Sequence, residues 1–261
     1  MQNTIHFETK EGILENISKL TGVNAGDIEA FISSMADWSK SERDSRRVWP
    51  MFQAAFGCAP TIQRAVWYHG CRCLPGTTFE DGLLPNVQAL SEIWHQLWKV
   101  IGKAVSSSSP EDLRSVFEAH TASMTGGGYH QRLMDSRQNG PWGKLVREDW
   151  FLEGSDSDHY LKSGPELVCF PLRHFSPDGE LEKLYLKSTQ ACLVHFSAPC
   201  SDPQLLGHGL NFLRDTRFCE HPIEYVGYYG LESMEGKIVP FKDILNVEFL
   251  SPDCGYNENL T

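Results

Sequence analysis

The chain has no excess of positive charge. Its 23 lysines and arginines stand against 34 aspartates and glutamates, which gives a formal net charge of −11 and a pI near 5.3. Proteins that track a phosphate backbone draw their binding free energy from clustered basic residues, so this balance argues against such a surface. It leaves open a nucleic acid that reaches a local site as a substrate.

The sequence also lacks a C-x-x-C pair, a secretory leader and a long apolar run. Its eight cysteines are scattered, and the opening residues MQNTIH have neither a basic segment nor an apolar stretch. We therefore expect a reduced, cytoplasmic protein. No stretch is long and apolar enough to cross a bilayer, so we expect no membrane partner.

The length of 261 residues suits one large domain, or a catalytic domain with a helical appendage. Apolar residues at spacings of three and four predict a helix over 11–20 and a second one that starts at Asn24. A break at residues 57–60 follows another apolar patch. We therefore place an N-terminal helical region at 1–60 and a second region at 61–261.

Later segments predict more helices and then strands. Residues 90–105 have helical periodicity, and Ser109 followed by Pro110 is typical of a capped helix start. Short apolar runs predict strands at 167–170, 191–196, 223–229 and 245–250. Helices early and strands late indicate an α+β protein rather than alternating β-α-β units.

One segment of the sequence is typical of a ligand-binding site. Residues 67–72, WYHGCR, form an apolar strand that ends in a His-Gly pair, and residues 79–85, FEDGLLP, follow after a turn. A strand, a turn and a short helical segment that closes on Gly-Leu can hold a nucleotide against backbone amides. The segment therefore predicts a nucleotide site.

With two later segments, 224–229 (EYVGYY) and 238–245 (IVPFKDIL), these residues resemble the ADP-ribosyltransferase superfamily in its His-type, toxin-like branch. The resemblance covers about 62–250 and leaves the N-terminal helices outside. It implies a split antiparallel β-sheet core around a cleft that binds NAD. The late segments would be the strand that carries the family's glutamate and the turn that follows it.

The resemblance implies a cofactor-binding role for the end of the first strand. His69 would hydrogen-bond the adenosine ribose, and the backbone of Gly70 would meet the nicotinamide carboxamide, where the absence of a side chain permits close approach. The residues implied to bind NAD are Tyr68, His69, Gly70, Cys71 and Arg72.

An aromatic ring and a carboxylate complete the implied site. Tyr160, expected on a strand, would sandwich the nicotinamide, with Trp142 and Tyr129 as substitutes. Glu224 would be the catalytic carboxylate beside His69 and Tyr160. Glu232 and Glu235 stay open as alternatives, because the register of the late strand is not fixed by the sequence.

The carboxylate also has a physical reason that is independent of the family. Breaking the bond between nicotinamide and ribose develops positive charge on the sugar, and a carboxylate near the ribose stabilises that state. Such a group can also orient a hydroxyl of the ribose or the acceptor.

Other interpretations compete with these roles. His69 could be a core histidine satisfied by a carbonyl, and Cys71 could be a nucleophile. His69, Cys71, Cys73 and His95 supply zinc-type ligands, but C-x-C is a tight spacing and we expect no bound metal. The Gly-rich residues 125–128 lack the lysine of a phosphate-binding loop.

The resemblance implies an NAD-dependent ADP-ribosyltransferase that modifies a macromolecule, with RNA or DNA favoured over protein. A compact acidic chain of this kind fits a bacterial or phage toxin or antiphage effector, and an antitoxin is then a candidate partner. The alternatives are a protein-modifying enzyme, an NAD-dependent RNA 2′-phosphotransferase, and a non-catalytic interaction module with the same fold.

Overall fold

The computed structural model describes residues 3–38, 44–121, 129, 133–134, 139–152, 158–219, 231–234 and 236–251. Its helices are α1 (Lys10–Thr21), α2 (Ala25–Ser34), α3 (Ser45–Phe56), α4 (Asn86–Ile101), α5 (Pro110–Thr121), α6 (Asp158–Ser163), α7 (Glu166–Phe175), α8 (Glu180–Ser188) and α9 (Leu205–Phe218). Its strands are β1 (Thr4–Ile5), β2 (Arg64–Cys73), β3 (Trp142–Lys144), β4 (Gln190–Pro199), β5 (Leu231–Ser233) and β6 (Ile244–Phe249). Short 3-10 turns cover Glu148–Phe151 and Phe241–Asp243.

The strands form one mixed sheet in the order β5-β3-β2-β4-β6. The short strand β1 pairs in parallel with the start of β2, and β3 pairs antiparallel with β2, where Tyr68 faces Lys144. Arg64 contacts Ser197 while Arg72 contacts Thr189, so β2 and β4 run in opposite directions. The architecture is mixed helix and sheet, consistent with the α+β class.

The chain divides into two compact units that are not contiguous in sequence. The first comprises Met1–Tyr68, Gly143–Ser155 and His195–Glu232, and the second comprises His69–Trp142, Asp156–Val194 and Ser233–Thr261. The single boundary that the sequence predicts near residue 60 coincides with none of these segment ends. The N-terminal helices belong to the same unit as α9.

The first unit is built around α9, which packs against α1, α2 and α3. Gly209 permits the close approach of α9, because a Cβ there would lie 2.6 Å from the ring of Phe7 and 3.0 Å from Ile13. The predicted helices at 11–20 and after Asn24 are confirmed, and the Asn24 side chain accepts a hydrogen bond from the Asp27 amide as the N-cap of α2.

Arg214 of α9 closes the carboxyl end of α2. Its guanidinium donates hydrogen bonds to the carbonyl oxygens of Met35, Ala36 and Trp38 at 2.6–3.3 Å, and it forms an ion pair with Asp215 at 2.5 Å. Arg214 and Asp215 are both buried. Carbonyl oxygens at the end of a helix have no N–H partner within the helix. The guanidinium of Arg214 supplies such donors here.

The core of the second unit lies between α4, α5, α7 and α8, where Trp94, Phe117 and Leu172 are buried. The predicted cap is confirmed, since the Ser109 hydroxyl accepts a hydrogen bond from the Asp112 amide at the start of α5. The strand predicted at 167–170 is wrong: these residues lie in α7. A short apolar run buried on all sides has no period that separates a strand from a helix.

None of the helices within the described ranges combines the length and the apolar composition that crossing a lipid bilayer needs.

We predict that Arg214→Leu lowers the free energy of unfolding by about 3–5 kcal/mol, because it leaves the Asp215 carboxylate buried without its cation. Urea denaturation followed by circular dichroism measures the change. Arg217→Leu on the same helix is the control, because Arg217 is exposed and its loss changes stability by less than about 0.5 kcal/mol. An Arg214→Leu variant that unfolds at the urea concentration of the native chain would contradict the role assigned to this pair.

Candidate active site

His69 is held by the backbone of the neighbouring strand. Its Nδ1 atom lies 2.7 Å from the carbonyl oxygen of Trp142 in β3. A carbonyl oxygen only accepts, so Nδ1 donates and Nε2 is left as the acceptor of a neutral imidazole. Burial lowers the pKa of His69, and this effect outweighs the opposing effect of the carbonyl. At neutral pH the side chain therefore presents an acceptor nitrogen in a fixed orientation.

The alternative interpretation of His69 as a core histidine requires a carbonyl partner and a buried side chain, and this contact provides the carbonyl partner. One ring nitrogen is satisfied by a carbonyl, as that interpretation requires. The residue as a whole is only partly buried, however, and the hydrogen bond to Trp142 uses one of the two ring nitrogens. The arrangement is therefore compatible with a ligand contact through Nε2.

Tyr68 belongs to the first unit and its side chain is fully buried. Its ring meets the edge of the His195 ring at 4.8 Å between centroids, and its carbonyl accepts a hydrogen bond from Trp150 Nε1 at 3.0 Å. Because successive side chains of a strand point to opposite faces, Tyr68 and His69 project to different sides of β2. The Tyr68 side chain thus serves the interior of the first unit.

Arg72 joins β2 to the ends of two helices in the second unit. Its guanidinium donates to the carbonyl oxygens of Leu161 in α6 and Leu186 in α8, at 2.6 and 3.0 Å. It also donates to the carbonyl and the hydroxyl of Thr189, which follows α8, at 2.9 and 3.2 Å. A cation is stabilised at carboxyl ends of helices, where unpaired carbonyls concentrate negative partial charge. These contacts give Arg72 a structural role.

Two segments of the resemblance, residues 79–85 and residues 238–245, meet each other in the second unit. Leu83 and Val239 exchange both backbone hydrogen bonds of an antiparallel bridge, at 2.9 and 3.0 Å. Gly82, at φ +81°, precedes this bridge, and a Cβ at Gly82 would lie 2.1 Å from the carbonyl oxygen of Val239. The Gly-Leu pair of residues 79–85 is therefore required by close backbone contact with residues 238–240.

The aromatic candidates lie in different surroundings. Tyr160 is in helix α6, so the strand expected for it is wrong. Tyr129 is buried beside Trp94 and donates a hydrogen bond to Glu118 at 2.9 Å, and burial raises its pKa. Trp142 is partly buried and provides the carbonyl that holds His69. Of the three, Trp142 is the one that contacts His69 through its backbone.

Two of the three carboxylate candidates lie outside the part of the chain that the structure describes. Glu224 and Glu235, with the strand predicted at 223–229, lie outside the described residues, as do residues 125–128. Glu232 lies in β5, the strand at one end of the sheet order. The predicted strands at 191–196 and 245–250 are confirmed as β4 and β6.

Cys71 and Cys73 contact a third cysteine that the sequence analysis did not connect with them. The Sγ atom of Cys192 in β4 lies 3.3 Å from that of Cys71 and 3.7 Å from that of Cys73. Across the described part of the chain no group of three or more Cys, His, Asp or Glu side chains could hold a metal ion. The zinc interpretation with His95 therefore has no support there. The spacing of residues in the sequence does not show that β2 pairs with β4, so it could not bring Cys192 next to Cys71 and Cys73.

The first unit contains a buried ion pair that the sequence analysis also missed. Lys144 Nζ lies 2.7 Å from a carboxylate oxygen of Asp149 and 5.3 Å from the centroid of the Trp150 ring, and both charged side chains are buried. A lysine within the apolar run 142–146 was the available signal, because lysine is rarely buried without a partner. This pair and His195 are interior groups of that unit.

Comparisons with protein-family models, with curated protein sequences and with solved structures found no significant match to this chain.

We predict that Gly82→Ala destabilises the protein more than Gly76→Ala. Both glycines have positive φ, +81° and +86°, so each substitution carries a backbone cost of about 1–2 kcal/mol. A Cβ at Gly76 meets nothing within 4 Å, whereas one at Gly82 collides with the Val239 carbonyl, which adds about 1–3 kcal/mol. Urea unfolding of the two variants in parallel measures the difference. Equal losses would show that the bridge between Leu83 and Val239 is not required.

Proposed function

We propose that this chain is an NAD-dependent ADP-ribosyltransferase whose acceptor is a nucleic acid. The observation that carries the proposal is the neutral imidazole of His69, which the Trp142 carbonyl orients immediately before Gly70. A His-Gly pair at this place in a strand is the feature on which the resemblance rests. The fixed acceptor nitrogen is what a contact with a ribose hydroxyl requires.

The proposed chemistry divides between two regions of the chain. His69 and Gly70 bind and orient NAD: Nε2 accepts a hydrogen bond from the adenosine ribose, and the Gly70 backbone meets the nicotinamide carboxamide. A carboxylate, Glu224 in the first instance, stabilises the positive charge that develops on the other ribose as the bond to nicotinamide breaks. Glu232 and Glu235 remain the alternative carboxylates, and Trp142 or Tyr160 supplies the aromatic ring.

The contact between Gly82-Leu83 and Val239 supports the same proposal. In the resemblance, residues 79–85 follow the NAD-binding strand and residues 238–245 follow the strand with the glutamate. Two segments more than 150 residues apart form a backbone bridge, with hydrogen bonds of 2.9 and 3.0 Å. An ADP-ribosyltransferase fold would explain why the patterns at 79–85 and at 238–245 occur in one chain.

Arg72 favours transfer of ADP-ribose over the phosphotransferase alternative. Removal of a 2′-phosphate from RNA is served by basic residues that line the site, and Arg72 is the basic residue nearest the His-Gly pair in sequence. Its guanidinium donates to four oxygen acceptors of the protein instead. A phosphate would have to displace these hydrogen bonds.

We predict that the purified chain, incubated with labelled NAD and a cell lysate, transfers label to the nucleic-acid fraction. His69→Ala and Glu224→Gln should each lower the rate of transfer by about 100-fold or more, because each removes a group that acts on the reacting nucleotide. The measurement is the label recovered in separated nucleic-acid and protein fractions. His174→Ala and Glu180→Gln are matched controls: His174 lies in α7, and Glu180 forms an exposed ion pair with Lys183.

The same experiment separates the competing functions. Label in the protein fraction would replace nucleic acid by protein as the acceptor. Loss of a 2′-phosphate from an RNA substrate would favour the phosphotransferase. Absence of NAD turnover with every acceptor, by a chain that unfolds cooperatively, would favour a non-catalytic interaction module. Full activity of Glu224→Gln would move the carboxylate role to Glu232 or Glu235.

The proposed biological role is that of a cytoplasmic toxin or antiphage effector, which an antitoxin would hold in check. We predict that expression of the native chain in bacteria slows growth and that His69→Ala restores it, because the toxic event would be the transfer itself. Growth curves after induction measure this, with His174→Ala as the control that stays toxic. Normal growth with the native chain would remove the toxin role and leave the proposed enzyme activity standing.

A further inference from the structure

Three thiols of the second unit meet between two neighbouring strands. Cys71 and Cys73 are two positions apart on β2, so their side chains project to the same face. The sulfur of Cys192 on β4 lies 3.3 Å from the Cys71 sulfur and 3.7 Å from the Cys73 sulfur. None of the three forms a disulfide bond in this structure.

The three thiols differ in access to solvent. Cys73 and Cys192 are buried, whereas Cys71 is partly exposed. The contact with Cys192, together with burial, raises the pKa of Cys73, and the contact with Cys71 is the largest cause that raises the pKa of Cys192. The two buried sulfurs thus stay protonated at neutral pH, and a reagent in solution reaches Cys71 first.

We propose that Cys71 and Cys192 form an oxidation site at which a peroxide converts the two thiols into a disulfide. The Cys71 sulfur attacks the peroxide, takes up one oxygen as a sulfenic acid and releases water or an alcohol. The Cys192 sulfur then attacks the Cys71 sulfur, the S–O bond breaks, and the oxygen leaves as water with the Cys192 proton. Two electrons pass from the two thiols to one peroxide.

The geometry requires little movement for this step. A disulfide bond is about 2.05 Å long, so the 3.3 Å between the two sulfurs has to shorten by about 1.3 Å. The two cysteines lie on neighbouring strands of the sheet. Cys73, at 3.7 Å from Cys192, is placed to exchange: its sulfur can attack Cys192 while its proton passes to the departing Cys71 sulfur, which leaves as a thiol.

The bond would act on the strand that carries His69. Cys71 follows His69 by two positions on β2, and the disulfide would tie this part of β2 to β4 across a sequence separation of 121 residues. The oxidation chemistry itself does not depend on ADP-ribosyl transfer. The inference therefore stands or falls separately from the proposed function.

The test treats the full chain with hydrogen peroxide, alkylates the remaining thiols and identifies linked peptides by mass spectrometry. We expect a peptide pair that joins Cys71 to Cys192, with loss of two hydrogens, and its disappearance after reduction. Cys71→Ser should abolish this pair. Cys200→Ser, which removes a partly exposed cysteine of the first unit, should leave it unchanged.

A stability measurement covers the case in which a variant at the buried Cys192 fails to fold. The oxidised native chain should melt at a higher temperature than the reduced chain, because the cross-link restricts the unfolded state, and Cys71→Ser should show no such rise. Oxidation that stops at a sulfinic acid on Cys71, or a disulfide that joins Cys71 to a cysteine other than Cys192, would overturn the proposal.

Discussion

Both units depend on one constraint: the buried carbonyl oxygens at the carboxyl ends of helices need hydrogen-bond donors. A helix leaves its last carbonyls without partners, and in the interior no water replaces them. In the second unit Arg72 supplies donors to the ends of α6 and α8, and in the first unit Arg214 supplies them to the end of α2. Each arginine comes from a distant segment, so helix ends are completed by tertiary contacts.

The contacts of Arg72 also decide what β2 can offer a ligand. The Arg72 guanidinium fixes the end of β2 through its contact with Thr189. His69, three residues earlier on β2, is oriented by Trp142 of the neighbouring strand β3. Binding groups held by backbone carbonyls of a sheet need little reorganisation when a ligand arrives. The part of the proposed NAD site that His69 and Gly70 provide therefore lies on a strand of the sheet rather than on a loop.

Local signals in the sequence were sufficient for much of the fold. Helices α1, α2, α4 and α5 follow from spacings of three and four, and the caps at Asn24 and Ser109 follow from short polar side chains before a helix. The strand predicted at 167–170 became helix α7, because four buried apolar residues have no diagnostic period. Tyr160 was placed on a strand through the resemblance, and helix α6 replaced it.

The candidate site shows the same limit. His69 and Gly70 could be proposed from the sequence because they are adjacent in it. Trp142 as the partner of His69, and Cys192 as the neighbour of Cys71, depend on which strands pair, and the pairing joins residues 73 and 121 positions apart. Long-range register is set by the whole sheet and is absent from local spacing. The buried pair of Lys144 and Asp149 was missed although Lys144 stands in an apolar run, because the run alone does not show which carboxylate pairs with the lysine.

The contact between Arg214 and the end of α2 has a consequence for how the chain folds as it is made. The residues that it joins are 179 positions apart, from Met35 to Arg214. Helices α1 and α2 leave the ribosome well before α9, the helix that packs against them, has been made. Until then their apolar faces have no cover, which is the situation in which nascent chains recruit chaperones.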